Sequence, residues 1–240
     1  MAERAKIRLY IDADLGAGQL INLSRDQAHY LMNVMRQEVG SQIALFNGRD
    51  GEWTCEIIEA SKRAVVVKCL EQSAPQQMPP DLWLLFAPIK KARTDFIVEK
   101  AAEMGAARIL PVQTDFTNSE RIRQDRLQAH AVEAAEQCGG TYVPVVEELQ
   151  KLAKLLDGWD NQRQIYFCDE TQAGSTLTLP EQAGSSAILI GPEGGFSDKE
   201  LTKLRALDFV TPISLGPRIL RADTAAIAAL TLWQSKLGDW

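Results

Sequence analysis

Ile188-Leu-Ile-Gly-Pro-Glu-Gly-Gly-Phe-Ser197 decides how this chain is read. A short run of branched apolar residues delivers three glycines and a proline, and Ser197 with Glu200 forms a capping box for a helix expected to reach Leu207. Strand, glycine loop and capped helix in that order describe one strand-to-helix connection of an open α/β sheet. Ligands of such sheets bind outside the C-terminal ends of the strands. Glycine lets backbone approach a ligand where a side chain would collide. The plainer alternative is a tight turn with no ligand. A dinucleotide fingerprint is excluded, because G-P-E-G-G lacks the G-x-G-x-x-G spacing and comes late in the chain.

A second connection follows. In Ile213-Ser-Leu-Gly-Pro-Arg-Ile-Leu-Arg-Ala-Asp-Thr224 a strand expected over Pro212 to Leu215 ends at a Gly-Pro turn. Arg218 and Arg221 then flank Ile219 and Leu220 before a helix over Ala225 to Lys236. Apolar residues between arginines fit a flat hydrophobic ligand beside an anionic group; the plainer reading makes Ile219 and Leu220 core plugs and Arg221 and Asp223 decoration of a helix start.

Working outward, Leu82 to Ala87, Ile109 to Val112, Ile165 to Cys168 and Ala187 to Ile190 are short continuous apolar runs, the pattern of parallel strands covered on both faces. Helices are expected between them at Thr94 to Met104 and Ser119 to Cys138, stopped by Gly105 and by Gly139-Gly140. Ser73-Ala-Pro-Gln-Gln-Met-Pro-Pro80 reads as an extended linker. Ahead of it, β-type runs at Ile7 to Ile11, Gln19 to Leu23, Gln42 to Phe46, Trp53 to Ile58 and Ala64 to Leu70 form a small barrel-like domain. Asn47-Gly-Arg-Asp-Gly51 supplies a hairpin turn, and one helix from about Arg25 to Arg36 starts at a Ser24/Gln27 capping box. The expected division is therefore 1–74 and 81–240.

Composition excludes other classes. With 45% apolar and 24% charged residues, the 240-residue chain can build sizeable cores. Its longest apolar stretches, Leu82 to Ile89 and Ala225 to Trp233, fall short of the roughly 18 residues that span a bilayer. The charged start, Met1 to Lys6, is no signal peptide, and a cytoplasmic protein is expected. Cys55, Cys69, Cys138 and Cys168 make no C-x-x-C pair and His29 stands far from His130, so no metal is expected. G-x-S-x-G, Walker and H-E-x-x-H motifs are lacking. A net charge of −6 argues against a nonspecific nucleic-acid coat. The acidity is concentrated in residues 127–240, where 9 basic side chains face 15 acidic ones.

The paired loops, Ile-Gly-Pro-Glu-Gly-Gly-Phe-Ser at 190–197 and Leu-Gly-Pro-Arg-Ile-Leu-Arg-Ala-Asp-Thr-Ala at 215–225, resemble the signature of the ribosomal RNA small subunit methyltransferase E family. Arg8-Leu-Tyr10, His29, Val34-Met-Arg36, Lys90-Lys-Ala-Arg93, Lys100, Glu103-Met-Gly105 and Glu133-Ala-Ala-Glu-Gln137 extend the resemblance over essentially the whole chain. It implies a PUA-like N-terminal β-barrel domain and a C-terminal SPOUT trefoil-knot α/β domain. S-adenosyl-L-methionine is the implied methyl donor and a homodimer the implied assembly. The implied reaction is methylation of uridine N3 in the decoding region of 16S ribosomal RNA, with the 30S subunit as substrate. Two positions depart from the family pattern: Gly140 where many members have arginine, and Asp223 where many have glutamate.

By the same resemblance the cofactor lies bent across the loops, held by Gly191, Pro192, Glu193, Gly194, Leu215 and Gly216, with Ile219 and Leu220 on the adenine and Glu170 closing the stretch Phe167-Cys-Asp-Glu170 that supplies the third wall. Uridine N3 attacks only after losing its proton, and the charge then spreads onto O2 and O4, where a fixed cation favours it. Arg218 or Arg221 fits that role; arginine cannot be the base. Asp223, Glu193 or water takes the proton. Arg8, His29, Arg36, Lys90, Lys91 and Arg93 are the expected RNA contacts, with His29, Asn33 and Arg36 sharing one face of the first helix. Two other classes compete: a noncatalytic RNA-binding ribosome assembly factor, which needs no pair of glycine loops, and an α/β enzyme acting on a small nucleotide.

Overall fold

The computed structural model describes residues 6–61, 64–118, 121–174 and 184–240. Contacts divide the chain into two units: Met1–Met78 with Ala135–Val143, and Pro79–Ala134 with Pro144–Trp240.

The first unit holds β1 (Arg8–Tyr10), β2 (Leu20–Asn22), β3 (Gln42–Phe46), β4 (Glu52–Ala60) and β5 (Val65–Ala74), ordered β1-β3-β4-β5-β2. Only β1–β3 is parallel. Leu9 from one end of the sheet and Ile21 from the other join one buried core with Ile43, Ile57 and Val67, so the sheet curls on itself. Register shifts along β4 supply extra twist. The expected turn is present: Asn47 Oδ1 accepts from the amides of Arg49 and Asp50, and Gly51 has φ +75° with Ala74 O only 2.3 Å from where a Cβ would stand.

The capping box at Ser24 and Gln27 also forms, but the expected helix to Arg36 does not. Helix α1 covers Arg25–His29 and passes into a wider π-turn over Tyr30–Val34, after which Arg36 takes φ +52°. Leu31 is buried and Met35 packs against the core. The wider turn removes the 3.6-residue period, so His29, Asn33 and Arg36 do not share one helical face.

The expected boundaries shift too. Ser73 and Ala74 complete β5, and the Gln77 amide donates to Thr141 Oγ1 at 2.9 Å. Residues 135–143 belong with the first unit because Arg8 reaches them. Its guanidinium donates to the carbonyls of Ala135 (2.7 Å), Glu136 (2.8 Å) and Gly140 (2.7 Å) and pairs with Glu52.

The second unit is a parallel sheet of β6 (Leu82–Phe86), β7 (Arg108–Gln113), β8 (Val145–Val146), β9 (Gln150–Lys151), β10 (Gln164–Cys168), β11 (Ser186–Ile190) and β12 (Val210–Ile213). Its order is β12-β10-β11-β6-β7-β8, with β9 also on β7. Helices α2 (Lys91–Glu103), α3 (Gln124–Cys138), α4 (Leu152–Asp157) and α5 (Asp198–Arg205) lie between strands, and α6 (Ala222–Leu237) follows the last one. Leu152 and Leu156 of α4 and Leu204 of α5 close one core over Leu85, Phe167 and Leu189. Helix α6 packs on α2 and β11, and its buried Gln234 donates to Met104 O at 2.6 Å, capping α2.

Strands β8 and β9 and helix α4 had no counterpart in the sequence reading. Strand β12 ends two residues earlier than expected; as an edge strand it tolerates Pro212, and Leu215 is released into the following loop. Ser119, the expected start of α3, and residues 175–183, between β10 and β11 in the sequence, lie outside the described residues. Among the described residues no helix is long and apolar enough to cross a membrane.

Candidate active site

Strands β10, β11 and β12 are parallel neighbours, so the loops leaving their C-terminal ends emerge together. With the first turn of α6 they wall a cavity of about 340 Å³. Two glycines leave room for packing rather than for side chains of their own. A Cβ on Gly191 would stand 2.9 Å from the Phe196 ring, which meets Phe167 edge-on at 6.0 Å. One on Gly195, at φ +69°, would stand 2.7 Å from Glu170 Oε1. Gly216, at φ +107°, accepts from the Gly174 amide at 3.0 Å and so joins the first loop to the third.

Asp169, in the stretch expected to form the third wall but given no role of its own there, anchors the β10 loop. Its buried carboxylate accepts from Arg205 (2.6 Å), from the Thr171 hydroxyl (2.7 Å) and from the Thr171 amide (3.0 Å). Burial pushes this carboxyl up, but the Arg205 and Thr171 hydrogen bonds outweigh it and hold it below its ordinary value. Its place directly after β10 was the one signal available. Cys168 beside it is pushed up to about 12 by burial alone, so its thiol stays protonated and forms neutral wall.

Eight of the expected cofactor contacts line the cavity: Glu170, Gly191, Pro192, Glu193, Leu215, Gly216, Ile219 and Leu220. Gly194 does not; it faces Phe116, whose Cβ lies 3.4 Å from where a Cβ would stand. Phe196, Leu201 and Ala225 add apolar wall that the loop motifs did not indicate. Ile219 is no core plug, being 73% exposed.

Arg218 and Arg221 line the cavity, are exposed, and have no ion-pair partner among the described residues. Asp223 stands outside the lining, on the first turn of α6. Arg93 lies between the two site carboxylates, 3.1 Å from Glu193 and 3.7 Å from Asp223. A guanidinium held this way joins α2 to both loops and is less available to a phosphate than its place in the basic cluster implied. Lys90 and Lys91 are exposed at the start of α2.

The expected RNA contacts of the first unit separate similarly. His29 and Arg36 are exposed, but the Arg8 side chain is only 7% exposed and its donors meet Glu52 and three carbonyls at the end of α3. Arg8 is corrected from an RNA contact to a helix cap, because cations satisfy the carbonyls left open at a helix C-terminus.

Residues 76–234 match the family described as RNA methyltransferase domain, and residues 23–70 match RNA methyltransferase PUA domain. The chain is 32% identical over 227 residues to ribosomal RNA small subunit methyltransferase E of Rickettsia conorii, covering 93% of each, and 31% identical over 241 residues to that of Buchnera aphidicola from Schizaphis graminum, covering 97% of each. Among solved structures, a putative methyltransferase of Legionella pneumophila in complex with the bound cofactor SAM superposes with TM-score 0.89 at 31% identity, covering 98% of this chain and 99% of that one. The Neisseria gonorrhoeae ribosomal RNA small subunit methyltransferase E bound to S-adenosyl methionine gives 0.88 at 25%, with the same coverage. Domain matches on both units and full-length relatives above 30% identity agree with the cavity between the glycine loops, and the chain belongs to the ribosomal RNA small subunit methyltransferase E family.

Proposed function

We propose that this chain transfers a methyl group from S-adenosylmethionine to N3 of a uridine in the decoding region of 16S ribosomal RNA. The observation that carries the reading is the cavity at the ends of three parallel strands, backed by glycine and rimmed by two exposed arginines that have no ion-pair partner among the described residues. Its size lies in the ordinary range for cofactor sites, about 300–1,000 Å³. An RNA-binding assembly factor has no use for such a cavity. When bound, S-adenosylmethionine supplies an electrophilic methyl group on a cationic sulfonium. Gly191, Glu193, Gly216 and Leu220 hold it through backbone and apolar contact, and the protonated Cys168 thiol does not compete as a nucleophile.

Arg218 or Arg221 stabilises the uridinate through O2 or O4, as a preorganised cation does for charge that develops during reaction. Glu193, Asp223 or water takes the N3 proton, with Arg93 fixing where the two carboxylates stand. The second unit carries this chemistry and the first docks RNA through exposed His29 and Arg36. Two copies are expected to pair through α6: Leu232 is 38% exposed beside the half-buried Ile227, Ala228 and Thr231. The site of action is the cytoplasm, where ribosomal subunits mature.

A chain of net charge −6 engages few phosphates, so recognition must come from a prefolded target. The test transfers labelled methyl from S-adenosylmethionine to unmodified 30S subunits, naked 16S RNA and a decoding-region fragment at equal concentration. Fast labelling of the 30S subunit, recovered as N3-methyluridine, is the expected result. Label on a carbon or a ribose oxygen overturns the reaction, and equal rates on fragment and particle overturn the shape argument.

A further inference from the structure

Phe116 stands on the turn after β7 and is 48% exposed. Single exposed apolar side chains are ordinary and need no ligand. This one differs in how firmly it is held. Thr114 and Thr117 close the turn through their hydroxyls (2.8 Å), from the Thr114 amide to Thr117 Oγ1 (2.9 Å) and from the Thr117 amide to Thr114 O (3.2 Å). Asp115 is clamped as well: its amide donates to Glu200 Oε1 at 2.9 Å and its Oδ2 accepts from Ser197 Oγ at 2.6 Å. Ser197 and Glu200 are the capping box of α5, so the turn is bolted to the rigid end of the 191–197 loop.

The Phe116 side chain lies against Gly194, with Cγ and Cδ2 both 3.8 Å from where a Cβ would stand. Gly194 sits between two cavity-lining residues, Glu193 and Gly195. Phe116 is thus one residue outside the cavity wall. Among the described residues no aromatic or cationic side chain stacks on it.

We infer that Phe116 is a stacking platform for a nucleobase flanking the target uridine. An enzyme working on the Watson–Crick edge of a base draws that base out of its stack, and selectivity then rests partly on contacts to its neighbours. The target base enters the cavity; Phe116 lies outside it and meets the adjacent base instead. Whichever of Arg218 and Arg221 does not stabilise the uridinate offers charge at the cavity rim for the connecting phosphate. A preset aromatic face suits single-stranded RNA because every base has a π-face.

The inference rests on the proposed action on RNA. Its test compares wild type with Phe116→Leu, Phe116→Ala and Phe116→Tyr, reading dissociation constants for unmodified 30S subunits by filter binding at fixed salt. S-adenosylmethionine affinity by calorimetry and the thermal midpoint are read on the same samples. Leu and Ala weaken subunit binding by about 5- to 150-fold, the range for loss of one base–aromatic stack. Tyr stays close to wild type, and cofactor affinity and midpoint are unchanged throughout. Leu keeps the apolar cover over Gly194, so a Leu variant that binds as tightly as wild type overturns the inference, as does a Tyr variant as weak as Ala. If wild type binds the subunit but labels another atom or none, the reaction assignment falls while the affinity ratios still decide Phe116. Wild type that does not bind the subunit overturns both.

Discussion

Replacing Arg8 by alanine separates a structural arginine from an RNA-binding one. The side chain is 7% exposed and that of its partner Glu52 2%. Removing one member of a buried ion pair costs about 3–5 kcal/mol. Here the loss includes donors to Ala135, Glu136 and Gly140, and the contact of the guanidinium with the Phe46 ring, 4.6 Å from its centroid. The Ser73 hydroxyl remains on Glu52 at 3.0 Å and softens the effect, which places the expected cost near the lower bound, about 3 kcal/mol. In a domain of 60–100 residues each kcal/mol lowers the unfolding midpoint by about 4–8 °C. The transition of the first unit is therefore expected to fall by about 12 °C or more in differential scanning calorimetry. Arg8→Lys keeps the charge but loses the planar fork, so its transition falls between the two. Cofactor affinity in the second unit is the internal control and stays constant. An Arg8→Ala protein with an unshifted midpoint and reduced 30S affinity would refute the reasoning.

Other expectations follow from the site. Arg221→Ala retains S-adenosylmethionine binding by calorimetry but slows methyl transfer by about 10²-fold or more, the usual cost of removing a preorganised charge stabiliser; unchanged turnover moves the role to Arg218. Asp169→Asn destabilises by about 1–3 kcal/mol at pH 7. Because the folded carboxyl sits below its ordinary value of 3.8, its contribution is present above that pH and lost as pH falls toward the folded value. Urea melts of wild type and Asp169→Asn should therefore converge below pH 4, and a pH-independent difference would argue against an ionised Asp169. Iodoacetamide at pH 7.5 is expected to alkylate exposed Cys138 first, mass spectrometry showing Cys55 and Cys69 protected by burial and the half-buried Cys168 by a thiol pushed up to about 12. Early labelling of Cys168 would contradict the neutral cavity wall.

Much of the fold is written in short range. Continuous apolar runs mark the long strands of the second unit, and the capping boxes at Ser24/Gln27 and Ser197/Glu200 form where their spacing places them. Both are local effects, carried by residues a few positions apart. Two-residue strands such as β8 carry no period to detect, and the π-turn after α1 depends on where Leu31 must reach the core. The glycine loops were equally legible, since their signature lies in contiguous residues and eight of the nine residues expected at the cofactor line the cavity.

Partners distant in sequence decided the rest. Arg8, Arg93, Arg218 and Arg221 are alike as residues, yet Arg8 meets carbonyls 127 and 128 positions away, Arg93 meets a carboxylate 100 positions away, and the other two meet none among the described residues. An arginine's role depends on whether its five donors face protein or solvent, because the same charge is a structural cap when buried against acceptors and a ligand when left exposed. The amino-acid sequence by itself determined the strand-loop-helix units and the glycine loops. Which cations remain free to act at those loops was set only when the chain closed on itself, since desolvation and hydrogen bonding depend on neighbours in space.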